Sequence, residues 1–383
     1  MLNFDYLIPT EIIFGKGEIK KLETKIKNFN RILFVWGGGS IKRIGVYEKV
    51  IHTLKDKTYF ELSGIKPNPR LFSVKKGMAI CRKNDIDFIL AAGGGSVIDC
   101  SKAIAAGVYY QGDVWDLFMK KAVVEKTLPI GTILTLAATG SEMNASSVIS
   151  NEETQQKLPI TSNHLRPKFS ILDPTYTMTV PRIHTAAGIV DIMSHVLEQY
   201  FDNTKGAYLQ DRLAEGILKT CIKYGPIALK NPDDYEARAN IMWAGSLALN
   251  GLLLSGKQGD FATHKISHAV SATYDLTHGT SLAILFPNWM QYVMKENIDQ
   301  FVEYAENVWN IPHNGDKTNI ASLGIDKTRE FFCLLEMPKK FSEVNISDEK
   351  FGEIATQAVY FGEIGNFKKL QKDDILRILT LSA

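Results

Sequence analysis

The sequence predicts two domains of different class, an α/β domain with a parallel sheet over residues 1–180 and an all-α domain over 181–383. Three observations carry that reading. A chain of 383 residues exceeds what one ordinary hydrophobic core encloses. Up to about residue 180, short β-rich runs alternate with helical patterns, as in a parallel sheet covered by helices on both faces. Beyond Pro181, apolar residues recur at helical spacing and strand-like alternation almost disappears.

The strands are expected at RILFVW (31–36), TYFEL (58–62), DFILAA (87–92), LPIGTILT (128–135) and FSILDP (169–174). Glycine loops follow the first and third of them. In the second half, RIHTAAGIVDIMSHVLEQYF, AYLQDRLAEGILKTCIKYGPIALK and DYEARANIMWAGSLALNGLLLSG read as helices, the first opening after a proline as helices often do. The most apolar stretch, WAGSLALNGLLLSG at 243–256, is broken by Gly, Ser and Asn and is shorter than the roughly 20 residues that cross a bilayer. It reads as a buried helix.

Composition narrows the function. The formal charge of +2 balances 44 basic against 42 acidic groups, and the lysine pairs are scattered, so neither nucleic acid nor an anionic membrane is an expected partner. The opening MLNFDYLIPT has no secretory character, and the four cysteines, Cys81, Cys100, Cys221 and Cys333, form no CxxC. A cytoplasmic protein with free thiols is the expectation.

WGGGS at 36–40 follows one expected strand, and AAGGGSVIDCSKAIAAG at 91–107 follows another and runs into a helix. Gly93, Gly94 and Gly95 let a backbone approach a ligand, while Ser96 and the first helical amides point at an anion favoured by the helix dipole. The loop is either a phosphate cradle or a tight turn with no ligand. Near the first loop no carboxylate stands where NAD-selective sites usually place one for the ribose. The chain there reads Gly37, Gly38, Gly39, Ser40, Ile41, Lys42, Arg43. Two cations without an acid favour NADP(H); the plainer alternative is an exposed helix start. TLAATGSEMN at 135–144 either lines a ribose or flat ring through Thr135, Thr139 and Asn144, or caps a helix through Thr139 or Ser141.

Of the eight histidines, His52, His164, His184 and His313 sit in polar or loop-like surroundings. The other four do not. Asp191 and His195 are four apart on one expected helix, as are His264 and His268, so each pair leaves one helical face. His278 follows at a glycine-containing turn. Asp191 and His195 alone allow a metal pair, an Asp–His ion pair or a solvated face. The five groups together favour a metal, and three imidazoles with one carboxylate suit Fe²⁺ or Zn²⁺ better than Mg²⁺ or Ca²⁺.

GGGSVIDCSKAIAAG, TLAATGSEMN, the Asp191/His195 helix and the HxxxH run followed by YDLTHG resemble the iron-containing (group III) alcohol dehydrogenases, most of all those of clostridial butanol dehydrogenase type. The resemblance extends over essentially the whole chain. It implies a Rossmann-like dinucleotide-binding domain, a helical metal and substrate domain, and a homodimer. Asp191, His195, His264 and His278 resemble the metal ligands, Fe²⁺ being favoured and Zn²⁺ the alternative. His268 resembles a histidine on the substrate side. Gly94, Gly95, Ser96 and Asp99 fall where the family holds the pyrophosphate, and Thr135, Thr139, Asn144 and Lys157 fall along the cofactor towards the nicotinamide. Gly38, Ser40 and Asn68 match positions near the adenosine ribose, with Gly39 where strictly NAD-linked members carry Asp. Ser267 and Ser281 depart from the Glu and Gly that many relatives have there.

The implied reaction is hydride transfer between NADP(H), or NAD(H), and the carbonyl of a small, mostly apolar aldehyde or primary alcohol of butanol type, the metal polarising the carbonyl. His268, or a water it positions, is the expected proton relay. Two alternatives stand beside it: a metal- and NAD-dependent lyase resembling dehydroquinate synthase, and a non-catalytic nucleotide- or metal-binding protein.

Overall fold

The computed structural model describes every residue from Met1 to Ala383, and the chain divides into two compact units. One comprises Leu7–Val180 and Pro232–Asn250; the other comprises Met1–Tyr6, Pro181–Asn231 and Gly251–Ala383. A single cut at 180/181 therefore departs from the observed division in two places. Helical periodicity in 232–250 identified a helix and said nothing of what it packs against. There, Ser246 Oγ donates to Glu142 Oε1 at 2.5 Å, and Trp243 meets Phe14 edge-on at 6.2 Å between ring centroids.

The α/β unit runs β1 (Glu11–Phe14), α1 (Leu22–Lys25), β2 (Arg31–Trp36), α2 (Ser40–Arg43), α3 (Val46–Leu54), β3 (Thr58–Leu62), α4 (Leu71–Lys83), β4 (Phe88–Gly93), α5 (Gly95–Gly107), α6 (Trp115–Phe118), β5 (Ile130–Leu134), β6 (Ser146–Asn151), β7 (Gln156–Thr161) and β8 (Phe169–Leu172). Six strands form one sheet in the order β1-β8-β5-β4-β2-β3, every neighbouring pair parallel. Side chains alternate between the faces as strand geometry requires. Leu33, Val35, Ile89 and Ala91 enter one core, and Ile32, Phe34, Phe88, Leu90 and Ala92 the other.

β2 and β4 are neighbours although β3 lies between them in sequence, so the strand order reverses at this pair. In open α/β sheets, ligands bind outside the carboxyl ends of strands at such a reversal. The two glycine loops leave β2 and β4 at those ends. Sequence periodicity missed β1, only four residues long, and the polar antiparallel hairpin β6–β7.

In the helical unit, α7 (Arg182–Tyr200) and α8 (Tyr208–Lys230) are followed by α9 (Tyr235–Ala248), which belongs to the first unit. Then come α10 (Ala262–Tyr274), α11 (His278–Val293), α12 (Ile298–Trp309), α13 (Lys317–Leu334), α14 (Phe351–Ala358) and α15 (Lys372–Leu381). The stretch 243–256 is not one helix: α9 stops at Ala248 and the chain turns through Gly251 and Gly256, with φ of 106° and 79°. Every residue of α7 from Thr185 to Tyr200 is buried. Its Ile189, Val190, Ile192, Met193, Val196 and Leu197 are at most 1% exposed, each worth roughly 1.5–3 kcal/mol of burial. That apolar gain offsets the cost of keeping Asp191 and His195 out of water.

α11 packs closely against α7 at Gly279. A Cβ on Gly279 would lie 2.0 Å from the carbonyl oxygen of Ala187, so only glycine fits. This seats His278 one residue from the contact and one turn of α7 from Asp191. No helix is long and apolar enough to cross a membrane, and all four cysteines are free.

Candidate functional site

Three imidazoles, carried by the three helices α7, α10 and α11, converge on one oxygen of α7. Asp191 Oδ1 lies 3.8 Å from His195 Nδ1, 3.9 Å from His264 Nε2 and 3.7 Å from His278 Nε2. Asp191, His195 and His264 are buried and present ligand atoms all within 4.8 Å of one another; His278 is partly exposed. Neighbouring ligands about 2.1 Å from a tetrahedral cation stand about 3.4 Å apart. The observed separations are slightly wider, too long for hydrogen bonds and suited to a cation between the groups.

His195 Nδ1 and His264 Nε2 are buried and make no hydrogen bond, a costly state for polar atoms unless something coordinates them. Burial, and then the neighbouring His264, hold the His195 imidazolium far below its ordinary range, so the ring is neutral with its lone pair available. The donor set fits a borderline divalent ion.

The rings are oriented from behind. His264 Nδ1 is 2.9 Å from Glu198 Oε1, which also accepts the His264 amide at 3.0 Å and the Thr263 hydroxyl. A carboxylate acceptor fixes the proton on Nδ1 and leaves Nε2 bare. His278 Nδ1 is instead 2.8 Å from the hydroxyl of Ser267. Sequence reading missed Glu198, although it was detectable: positions 191, 195 and 198 follow i, i+4, i+7 along one helical face. His268 stands beside the cluster, its ring centroid 5.2 Å from that of His278. His52, His164, His184 and His313 are exposed.

In the α/β unit the two glycine loops differ. In the second, the space a side chain would need at Gly93, Gly94 and Gly95 is taken by Val97, Leu136 and Thr139, at 2.5, 3.0 and 2.3 Å. Protein packing therefore accounts for Gly93 and Gly95 without a ligand, and Gly94 is tight against Leu136. The amides of Gly95 and Ser96 open α5, where the helix supplies no acceptor. In the first loop, a Cβ on Gly38 or Gly39 would meet nothing within 4 Å, and Gly39 has φ of 101°. Ser40 is exposed.

Asp99 points inward, accepting from Ser141 Oγ at 2.5 Å and the Val148 amide at 3.0 Å. It braces the loop that carries Thr139. Asn144 is held from below by Lys102, a fully buried lysine whose Nζ donates to Asn144 O, Asn144 Oδ1 and Ser146 O, each at 2.9 Å. Residues 135–145 form turns, so Thr139 and Ser141 cap no helix. Thr135 is buried beside Gly93, its amide donating to that carbonyl at 3.1 Å. Lys157 on β7 reaches Asn68, Nζ to Oδ1 at 2.8 Å, joining two expected cofactor positions 89 residues apart.

An acid does stand near the first loop, delivered by β3. Glu61 accepts from Trp36 Nε1 at 2.9 Å and Tyr47 OH at 3.0 Å, and Lys42 rests over both rings, 4.8 and 4.5 Å from their centroids. Sequence inspection of 36–43 could not find it, because neighbouring parallel strands are far apart in the chain.

A reversed parallel sheet with two glycine loops, joined in one chain to a helical unit holding three imidazoles around a carboxylate, defines a metal- and dinucleotide-dependent oxidoreductase class. The chain belongs to the iron-containing alcohol dehydrogenase family: residues 9–174 match the family's first domain and 185–383 its C-terminal domain. It is 53% identical to the NADH-dependent butanol dehydrogenase A of Clostridium acetobutylicum over the full length of both chains. It is 41% identical to the NADPH-dependent aldehyde reductase of Escherichia coli, covering 90% of each. The crystal structure of NADH-dependent butanol dehydrogenase A from Thermotoga maritima superposes with a TM-score of 0.97 at 39% identity, covering 100% of this chain and 99% of that one. The chain is thus an NAD(P)-dependent oxidoreductase of iron-type alcohol dehydrogenase and aldehyde reductase character, and the lyase alternative is not favoured.

Proposed function

We propose that the protein reduces small, mostly apolar aldehydes of butanal type to primary alcohols, and catalyses the reverse, with a divalent ion, Fe²⁺ in preference to Zn²⁺, held by Asp191, His195, His264 and His278. The observation that carries this reading is the convergence of three imidazole nitrogens within 3.7–3.9 Å of Asp191 Oδ1. When bound, the ion supplies a Lewis acid for a carbonyl oxygen and the nicotinamide supplies hydride. Glu198 and Ser267 hold the rings of His264 and His278 from behind, and α7 keeps water from Asp191 and His195. His268, beside His278, exchanges the proton of the product alcohol with solvent.

The cofactor lies along Gly38, Gly39, Ser40, Asn68, Gly94, Gly95, Ser96, Thr135, Thr139, Asn144 and Lys157, with Asp99 bracing the loop. Gly39, Lys42 and Arg43 favour NADP(H), whereas Glu61 opposes a 2′-phosphate; NADH remains the alternative, and the named relatives carry both dependences. The exposed apolar residues Leu2, Phe4, Tyr6 and Leu7, which lead in sequence into the edge strand β1, favour a homodimer, and four free thiols, three of them buried, suit the cytoplasm. The test is steady-state reduction of butanal by ferrous-loaded enzyme with NADPH and with NADH. Turnover, with the larger kcat/KM for NADPH, is expected. No oxidation of either cofactor by any aldehyde overturns the activity, and a strong NADH preference overturns the reading of the first loop.

A further inference from the structure

The back of His278 is closed by two serines, and the number of protons they own decides the ring's tautomer. Ser267 Oγ is 2.8 Å from His278 Nδ1. Ser267 Oγ also touches Ser281 Oγ at hydrogen-bond distance, and Ser281 Oγ lies 2.9 Å from the backbone carbonyl oxygen of His278. Both serine residues are fully buried, so no solvent proton enters the account. Each hydroxyl owns one proton, and a carbonyl can only accept.

Three contacts share two hydroxyl protons, so all three can be hydrogen bonds only if the imidazole supplies the third proton. If Ser281 donates to the carbonyl, Ser267 donates to Ser281, and His278 must then donate from Nδ1 to Ser267. All three contacts are hydrogen bonds. If the direction is reversed, Ser267 donates to Nδ1 and Ser281 to Ser267. Two oxygens, of Ser281 and of the carbonyl, then face each other at 2.9 Å with no proton between them. If Ser267 donates to Nδ1 and Ser281 to the carbonyl, it is the two hydroxyl oxygens that touch without a proton. Every arrangement with Nδ1 as acceptor thus leaves one buried polar contact unsatisfied.

We infer that Ser281 and Ser267 form a closed hydroxyl circuit which fixes the proton of His278 on Nδ1 and so presents a bare Nε2 towards Asp191 Oδ1, making the two serines positioning residues of the metal site. This deepens the metal assignment of Proposed function and rests on it for its effect on metal, although not for the tautomer itself. His264 gets the same tautomer by a different device, the charged Glu198. A neutral hydroxyl acceptor raises the basicity of a ring less than a carboxylate does. His278, which is also the most exposed of the four, is accordingly a weaker donor than His264.

The experiment uses the full chain carrying heavy-nitrogen histidine, stripped of metal, with Ser281→Ala and Ser267→Ala as variants. Long-range proton–nitrogen correlation reads the tautomer, and zinc competition against a chromophoric chelator reads affinity. The wild type is expected to hold His278 as Nδ1–H. In Ser281→Ala the Ser267 proton is released to Nδ1 and the ring shifts towards Nε2–H, while zinc affinity falls about 10-fold or more in either variant. A wild-type chain with Nε2–H, or variants that keep both the Nδ1–H form and the wild-type zinc affinity, overturns the circuit. A wild-type chain that holds Nδ1–H but binds no zinc supports the circuit and removes the metal reading instead.

Discussion

Gly279 is where a single hydrogen atom decides the site. Its missing Cβ would sit 2.0 Å from the Ala187 carbonyl, inside any tolerable contact, so Gly279→Ala must push α11 off α7 and carry His278 with it. The expected outcome is a loss of about 1–3 kcal/mol in urea unfolding together with reduced bound metal. Glu198 acts from the other side of the cluster: Glu198→Gln keeps the shape and removes the charge behind His264, and zinc affinity by chelator competition is expected to fall about 10- to 100-fold. Lys102 gives a pH signature. Burial is the main reason its ammonium falls from 10.5 to about 7. Between those values the unfolded chain binds a proton that the folded chain has released, giving up one of the three bonds the ammonium donates, so stability rises with pH across the window, by up to about 1.4 kcal/mol per unit. Lys102→Met is expected to flatten that rise in urea titrations run from pH 7 upward.

At the scale of elements, what the sequence made legible followed period and spacing. Of the five runs from RILFVW to FSILDP, four are interior strands whose near-continuous apolar character suits a sheet buried on both faces, and TYFEL is the edge strand β3 with Thr58 and Glu61 exposed. The Asp191/His195 and His264/His268 pairs were legible because helical spacing is fixed by geometry. Three features were not. β1 is too short to show a period, the β6–β7 hairpin is too polar, and the helical stretch 234–256 reveals neither its stop at Ala248 nor its attachment to the α/β unit. The hairpin nevertheless matters to the proposed cofactor site, because it carries Lys157 to Asn68. With that bridge removed in Lys157→Met, KM for NADPH is expected to rise about tenfold or more, consistent with loss of a hydrogen bond to a charged group. An unchanged KM would show that the pair serves the hairpin alone.

For the whole molecule, the fold was readable and the partners of each functional group were only half so. The four proposed ligands come from positions 191, 195, 264 and 278; spacing paired 191 with 195 and 264 with 268, left 278 apart, and could not bring the four to one oxygen. Glu198, Lys102 and Glu61 went unseen because what each touches is set by packing between elements. The central claim is that Asp191, His195, His264 and His278 hold one divalent cation on which aldehyde reduction depends. Elemental analysis of wild type and His278→Ala, each reconstituted anaerobically with ferrous ion and then assayed with butanal, tests it most directly. The account predicts about one iron per wild-type chain and, in the variant, a large loss of both metal and activity. Parent-level metal and aldehyde reduction in His278→Ala would contradict it.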